Sequence, residues 1–244
     1  MRLVFYLCLT LAVVEFGFAQ EVTMIRKGRL LPKVKQNERF YFLHKNIDTT
    51  SLIFVGAFEA TGFGKESTVV SLYEAIKVTA KKSGANSFQL VSITSGDGQD
   101  PGKLVVNAYS SDDATLARSE NLKRKNVIYL FSGEKKLDKK VTAFKINNEP
   151  EELESGKYVQ LDLVEDEKIK ISKGGITGMS VTLTGSEDKP ATYLSLTGYG
   201  VGPGVAQPGT VGISINTGRI YPIESSLGEL LTLAFEKSDQ GASH

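Results

Sequence analysis

The chain has 244 residues, with 29 lysines and arginines against 28 aspartates and glutamates, so its net charge is close to zero. Such a balance creates no overall field toward nucleic acid or anionic lipid, and the short basic runs at 123–125 and 135–140 contain no aromatic residue that would stack on bases. The chain has 24 glycines, no tryptophan, one cysteine and two histidines, a composition that favours turns and β-structure over metal or thiol chemistry.

Residues 1–19 have the pattern of an export signal. They contain one arginine near the start, a short apolar run and small residues before Gln20, which predicts a secretory signal peptide that is cleaved after Ala19. The run is short and is interrupted by Glu15, which argues against a permanent membrane anchor. Because Cys8 leaves with the signal, we expect no disulfide, cysteine nucleophile or thiolate metal site in the mature protein, which we predict to be secreted or periplasmic.

The pattern of apolar residues in 20–123 predicts a small α+β module with elements in the order β-α-β-β-α. Ser51 to Phe58 is apolar on both faces, as in a strand that is covered on both sides. A helix is predicted from Glu66 to Lys82, because apolar residues recur there at three- and four-residue steps and Gly84 supplies a left-handed stop. The remaining predicted elements are two strands and a second helix, at Ser87–Thr94, Lys103–Tyr109 and Asp112–Asn121.

Residues 124–244 show a period of two, typical of strands with one wet face. Val159, Leu161 and Leu163 alternate with polar residues, and the same alternation recurs in at least five further runs. The pattern predicts an antiparallel β-sandwich or an open barrel, closed by an amphipathic helix from Ser225 to Lys237. Turn residues such as Asn147-Asn148 fall between the runs.

The acidic stretch Glu149 to Glu154, EPEELE, lies between two of these runs. Its carboxylates are adjacent in sequence and therefore point to opposite sides of the chain. The stretch is predicted to be an exposed connection and not a metal site.

Three segments of the second half, at 127–131 (VIYLF), 145–163 (KINNEPEELESGKYVQLDL) and 191–196 (ATYLSL), resemble a small bacterial envelope β-sandwich domain family of unknown function. Where that family has a Pro-Gly-x-His stretch this chain has Val164 to Lys168, and the arginine that commonly follows the first strand is absent. In the first half, the segment at 75–93 is similar to short bacterial envelope α+β modules. The resemblance implies a fold and an envelope location, and it brings no catalytic residue with it.

Candidate sites for chemistry are few. A serine triad needs a histidine beside the serine, and the candidates are His44, predicted at the surface end of a strand, and the terminal His244. GFGKES at 62–67 departs from the Walker pattern and is predicted to be a plain strand-to-helix turn. Asp97 and Asp100 lie in a glycine-rich hairpin loop without the spacing of a calcium-binding loop. We therefore predict no catalytic, cofactor-binding or metal-binding residue.

The stretch GYGVGPGVAQPGTVG at 198–212 is long and carries no charged residue. Pro203 stands where a dinucleotide fingerprint needs glycine. A connection of this kind is predicted to pack across one end of the sandwich or to face a partner. The predicted partner-contact residues are Tyr199, Val201 and Val205, together with Tyr158 and Tyr193.

These features predict an exported bacterial envelope protein that binds or scaffolds and is not an enzyme. Its expected partner is an envelope protein or a glycan, with no cofactor, no nucleic acid and no transmembrane segment after signal removal; the sequence leaves the oligomeric state open. The alternative is a carboxylate-dependent hydrolase acting on glycans, which needs two facing acids at a set separation. Asp162 and Glu167 are its candidates because they are close in sequence.

Overall fold

The computed structural model describes residues 20–35, 38–94, 96, 100–134, 141–174, 178–197 and 220–239. These residues form a mixed α+β structure with three sheets and three α-helices. The predicted α+β class is therefore confirmed. Within the described ranges no helix is long and apolar enough to cross a membrane.

The first half forms a five-stranded sheet in the order β1-β3-β5-β4-β2, and two helices. The elements are β1 (Glu21–Lys27), β2 (Tyr41–Phe42), β3 (Ile53–Gly62), α1 (Val69–Lys82), β4 (Ser87–Thr94), β5 (Gly102–Ser110) and α2 (Asp113–Asn121). Strand β5 lies between β3 and β4 and runs antiparallel to both, while β2 pairs parallel with β4. Helix α1 therefore connects two parallel strands that a later strand separates.

Helix α1 begins and ends at residues with recognisable capping chemistry. The Thr68 side chain accepts a hydrogen bond from the Ser71 amide, and the first residue of the helix is Val69, because residues 64–67 form a separate 3-10 turn. At the other end Gly84 has φ +94°, as the predicted left-handed stop requires. The buried face of α1 covers strands β3 and β5.

The second half forms two sheets. A four-stranded antiparallel sheet has the order β11-β10-β7-β8, and a five-stranded sheet has the order β13-β12-β6-β9-β14. The elements, in chain order, are β6 (Val127–Phe131), β7 (Val141–Ile146), β8 (Glu149–Glu154), β9 (Lys157–Asp162), β10 (Lys168–Lys173), β11 (Met179–Thr184), β12 (Thr192–Ser195), β13 (Tyr221–Pro222), α3 (Ser225–Ala234) and β14 (Glu236–Lys237).

The five-stranded sheet of the second half is mixed, which differs from the predicted antiparallel arrangement. Strand β12 runs parallel to β6, and β14 runs parallel to β9. Strands joined by tight turns must be antiparallel, whereas a strand that returns after a long crossover is free to enter in either direction. Here β12 returns to β6 after the chain has built the whole four-stranded sheet.

The EPEELE stretch is a strand, so its prediction as an exposed connection is wrong. It is β8, which pairs antiparallel with β7 along its whole length and buries Leu153. Asn147 and Asn148 both have positive φ, 50° and 74°, which is the backbone that a two-residue hairpin turn requires. The turn folds the acidic stretch back onto β7, and its carboxylates then lie along the outer edge of the sheet.

Two buried apolar clusters organise the molecule. The inter-sheet cluster fills the space between the two sheets of the second half and includes Ile128, Leu161 and Ile171. The second, which we call the junction cluster, joins the first sheet, α1, α3 and the other face of the five-stranded sheet. It crosses the predicted boundary between residues 123 and 124, because β6, β12 and α3 pack on the same apolar surface as α1.

Candidate functional site

Of the five predicted partner-contact residues, the structure describes two, and both contribute to the junction cluster or its rim. Tyr199, Val201 and Val205 lie outside the described residues. Tyr193, on β12, is 2% exposed and belongs to the junction cluster. Tyr158, on β9, is half-buried at the rim of the same cluster.

Tyrosine rings and one carboxylate fasten α3 to the five-stranded sheet. The Tyr129 and Tyr193 rings are stacked, with centroids 5.2 Å apart and planes 5° from parallel, and the Tyr193 hydroxyl donates to the Glu229 carboxylate on α3. Burial raises the pKa of Tyr129 to about 12, and burial together with the Glu229 charge raises the pKa of Tyr193 further. Both phenols therefore stay protonated and serve the packing of α3.

A second carboxylate fastens α3 to α1. The Lys77 ammonium lies 2.6 Å from the Glu224 carboxylate, and the Tyr73 hydroxyl lies 3.4 Å from it. Burial opposes the charged form of Lys77, yet the Glu224 and Glu74 carboxylates raise its pKa overall. Glu224 thus joins α3 to α1, and Glu229 joins α3 to the five-stranded sheet.

The amino end of α1 is occupied by a side chain of this chain. The Glu134 carboxylate, which follows β6, accepts hydrogen bonds from the Val69 amide at 2.9 Å and the Val70 amide at 3.3 Å. A helix N-terminus attracts an anion through its free amides and its dipole. Glu134 fills that role, in agreement with the prediction that GFGKES is a structural turn.

The carboxylates proposed for hydrolysis have separate partners. Asp162 pairs with the Arg124 guanidinium at 2.8 Å, and Glu167 accepts a hydrogen bond from the Val164 amide at 2.9 Å. Among the described residues, no group of three histidines, cysteines, aspartates or glutamates is placed to hold a metal ion.

One shallow cavity of about 310 Å³ lies beside the edge of the four-stranded sheet. Its lining residues are Val141, Glu152, Glu154, Lys157, Ser238 and Asp239. The Glu154 carboxylate is neutralised by the Lys157 ammonium at 3.1 Å, and the side chains of both residues are partly exposed.

The outer face of the four-stranded sheet carries a set of polar side chains. Ile169 and Ile171 of β10, and Val181 and Leu183 of β11, are buried against the inter-sheet cluster. Since side chains alternate across a strand, the intervening residues point outward. The outward residues form what we call the lysine face: Lys145 of β7; Lys168, Lys170 and Ser172 of β10; and Ser180, Thr182 and Thr184 of β11.

The strand register sets the spacing of the lysine face. Lys168 lies opposite Thr184, Lys170 opposite Thr182, and Ser172 between Ser180 and Lys145. The backbone of β10 is fixed at Lys170, whose amide donates to Asn147 Oδ1 and whose carbonyl accepts from the Asn147 amide. The face therefore consists of a lysine row bordered by a row of hydroxyls on a rigid sheet.

The lysine face is positively charged, and its far side is acidic. Lys145, Lys168 and Lys170 are exposed and form no ion pair with any described residue. On the other side of β7, the outward residues of β8 include Glu152 and Glu154. A charge gradient thus runs across a sheet of a protein whose total charge is close to zero.

Sequence reasoning detected the strands of this face but did not identify it as a site. The signal present in the sequence is the alternation Lys-x-Lys-x-Ser in 168–172 and Ser-x-Thr-x-Thr in 180–184. It shows that each strand has a polar side. The register that brings the two polar sides together depends on the tertiary structure.

No protein-family model, curated protein or solved structure matches this chain. The resemblance of the second half to the envelope domain family stays a prediction that rests on its strand motifs alone.

Proposed function

We propose that this chain is an exported, non-enzymatic binding or scaffolding protein of a bacterial envelope, and that the lysine face is its contact surface. The observation that carries the proposal is the lysine face itself: a flat, wet sheet surface with three lysines that have no ion-pair partner among the described residues. Residues 1–19 support the export part of the proposal through their signal-like pattern.

Three carboxylates outside the lysine face form contacts within the protein, and this supports a binding role over catalysis. Glu134 caps α1, Glu224 pairs with Lys77, and Glu229 accepts from Tyr193. Each of these groups holds one element against another. The hydrolase alternative requires two acids facing each other across a cleft, whereas Asp162 and Glu167 each bond to a different neighbour.

The division of the chain into two structural parts belongs to the same proposal. We assign residues 20–123 to an α+β module and residues 124–244 to a β-sandwich of the envelope type. Two stacked sheets with the inter-sheet cluster between them support this assignment. Binding surfaces of such folds are their exposed sheet faces and edges.

Co-sedimentation of residues 20–244 with insoluble envelope material of the source cells tests the proposal. A tryptophan in place of Thr182, which lies directly opposite Lys170, projects from the lysine face and blocks contact. We expect Thr182→Trp to abolish co-sedimentation. The matched control Thr23→Trp, at an exposed position of β1 in the first sheet, is expected to co-sediment as the wild-type protein does.

The same samples separate binding from hydrolysis. We expect no release of new reducing ends from the envelope glycans. Release that disappears in an Asp162→Asn, Glu167→Gln variant would establish the hydrolase alternative. Equal co-sedimentation of the two tryptophan variants would show that the lysine face is not the contact surface.

A further inference from the structure

We propose that the ligand of the lysine face is an acidic polysaccharide, bound in an extended form along strands β10 and β11. This inference rests on the proposed function and adds the chemical class of the ligand. It is argued from the spacing of the ammonium groups, from the charge gradient of the sheet and from the kinds of side chain that the face contains.

The spacing of the lysines suits a linear chain of anions. Residues two apart on a strand are separated by about 7 Å, and neighbouring strands by about 5 Å. Lys168 and Lys170 are two apart on β10, and Lys145 lies on the next strand opposite Ser172. The Cα atoms of the three lysines are therefore spaced at roughly 7–8 Å, with Lys145 displaced by one strand from the line of Lys168 and Lys170. This spacing is of the order of one or two sugar units.

The hydroxyl row gives the face the hydrogen-bonding capacity that a polysaccharide needs. Ser180, Thr182 and Thr184 lie directly opposite Ser172, Lys170 and Lys168. Each hydroxyl both donates and accepts, so it matches the hydroxyl groups of a sugar. The ammonium groups supply the attraction for the carboxylates, and the hydroxyls supply contacts that a simple polyanion does not use.

The acidic side of the sheet limits where the ligand lies. Glu152 projects from β8, beyond β7, and its carboxylate repels an anionic chain that crosses the sheet toward that edge. An anionic chain is therefore held over β10 and β11, parallel to the strands, and reaches Lys145 of the neighbouring strand β7 at one end. The rigid hairpin at Asn147, which bonds to Lys170 in both directions, keeps this row in place.

The outward side chains of the lysine face include no aromatic ring. Proteins that bind single-stranded nucleic acid combine positive charge with aromatic side chains on which bases stack. Without such rings the face lacks the surface on which those proteins stack bases. An acidic polysaccharide, whose units present carboxylates and hydroxyls, is the polyanion that fits both features of the face.

The test uses defined polymers and residues 20–244. Binding is measured by isothermal titration calorimetry with polygalacturonate, with neutral dextran and with oligothymidylate of matched charge. We expect polygalacturonate to bind and neutral dextran not to bind. Oligothymidylate is expected to bind at least tenfold more weakly, and the affinity for polygalacturonate is expected to fall about tenfold between 50 and 300 mM salt because ions screen the contacts.

Two triple variants with the same net charge provide the control. Lys145→Gln, Lys168→Gln, Lys170→Gln is expected to lower the affinity for polygalacturonate at least tenfold. Lys27→Gln, Lys45→Gln, Lys82→Gln removes three exposed lysines from other surfaces and is expected to change it less than twofold. Circular dichroism and thermal unfolding of both variants establish that they fold.

The outcomes separate this inference from the proposed function. Equal loss of affinity in the two triple variants would overturn the inference, since binding would then follow total charge. Binding of neutral dextran or of oligothymidylate as tight as that of polygalacturonate would also overturn it. If none of the polymers binds but Thr182→Trp still abolishes co-sedimentation, the ligand class is wrong and the proposed function stands. If Thr182→Trp has no effect either, both fail.

Discussion

At the scale of single residues, three carboxylates of this protein hold elements together. Glu229 accepts from a tyrosine of the five-stranded sheet, Glu224 pairs with a lysine of α1, and Glu134 receives two amides of α1. Each partner is distant in sequence. A half-buried carboxylate is stable only when such partners satisfy it, so these contacts fix how α1 and α3 pack.

The tyrosines of the junction cluster make the stability of the protein sensitive to high pH. Burial raises the pKa of Tyr129 from 10.0 to about 12. A group with a raised folded pKa contributes stability that is complete below its unfolded pKa and is lost as the pH rises through the folded value. We therefore expect the free energy of unfolding to fall as the pH rises from about 10 to about 12.

Tyr129→Phe tests this expectation, because phenylalanine keeps the ring that stacks on Tyr193 and removes the ionisable group. Urea unfolding at pH 9 and at pH 11.5 gives the decrease in the free energy of unfolding between these two pH values for each protein. The loss is expected to be smaller in the variant by about 1–2 kcal/mol, below the full value of the shift because pH 11.5 lies below the folded pKa of about 12. An equal loss in both proteins would contradict a raised pKa of Tyr129.

Residue-scale features with local causes were predictable, and those with distant partners were not. The positive φ angles of Gly84, Asn147 and Asn148 follow from residue types that tolerate a left-handed backbone. Tyr193 was predicted as a partner contact, whereas the structure places it under α3. Its alternation with neighbouring residues identifies a face of β12 but does not identify what covers that face.

At the scale of elements, α3 is the helix on which the packing of the two halves depends. Its predicted range of Ser225 to Lys237 is observed as Ser225–Ala234, because Phe235 turns to extended backbone and the chain continues as β14. The helix contacts β2 and β4 of the first sheet, α1, and β12 of the five-stranded sheet. An apolar helix in this position lies between two sheets and needs a small residue where it approaches most closely.

Gly228 is that residue. A Cβ atom built there would lie 2.2 Å from the Tyr193 ring. Gly228→Ala improves the intrinsic helix propensity by about 1 kcal/mol, but overpacking against a buried ring costs more. We expect a net decrease in the free energy of unfolding of about 0.5–2 kcal/mol, measured by urea denaturation.

Gly133→Ala is the matched control for this prediction. A Cβ atom at Gly133 would lie at ordinary contact distance, 3.5 Å from the Thr197 hydroxyl oxygen. We expect it to change the free energy of unfolding by less than about 0.5 kcal/mol. An unchanged or increased stability of Gly228→Ala would show that α3 does not pack closely on Tyr193.

Strand β8 shows why composition misled the prediction of an element. Five of its six residues are proline or glutamate, types that are depleted in strands. The Asn147-Asn148 turn and the burial of Leu153 nevertheless pair the segment with β7. Its position at the edge of the sheet accommodates Pro150, whose missing amide is tolerated at an edge.

At the scale of the whole molecule, the junction cluster makes the two halves depend on each other. It contains Phe58 and Tyr73 from the first half and Phe131, Leu227 and Leu230 from the second. Both sets belong to one contiguous buried apolar cluster. Neither half can expose its share of the cluster to water without losing the hydrophobic contribution to stability.

We therefore expect residues 20–244 to unfold in one cooperative transition. Calorimetry and circular dichroism measure this transition. Leu230→Ala, which removes a fully buried side chain of α3, is expected to lower the free energy of unfolding of the whole chain by about 2–5 kcal/mol. Leu233→Ala, at a position that is 56% exposed on the same helix, is expected to have little effect. Two separate transitions, of which Leu230→Ala shifts only one, would contradict a shared core.

Features that depend on local chemistry can be predicted from the amino-acid sequence alone. These are the α+β class, the period-two strands after residue 126, the helices near 69–82 and 113–121, and the turns at glycine and asparagine. Local propensity, capping and alternation act over a few residues, so they can be read along the chain.

Which polar faces meet depends on the tertiary fold. The parallel pairing of β12 with β6, the burial of Tyr193 under α3 and the alignment of Lys168 and Lys170 with the hydroxyls of β11 depend on register. A shift of one residue in any of these pairings would turn every side chain of the strand to its other face. Strand alternation is the same before and after such a shift, which is why the lysine face is visible only in the folded chain.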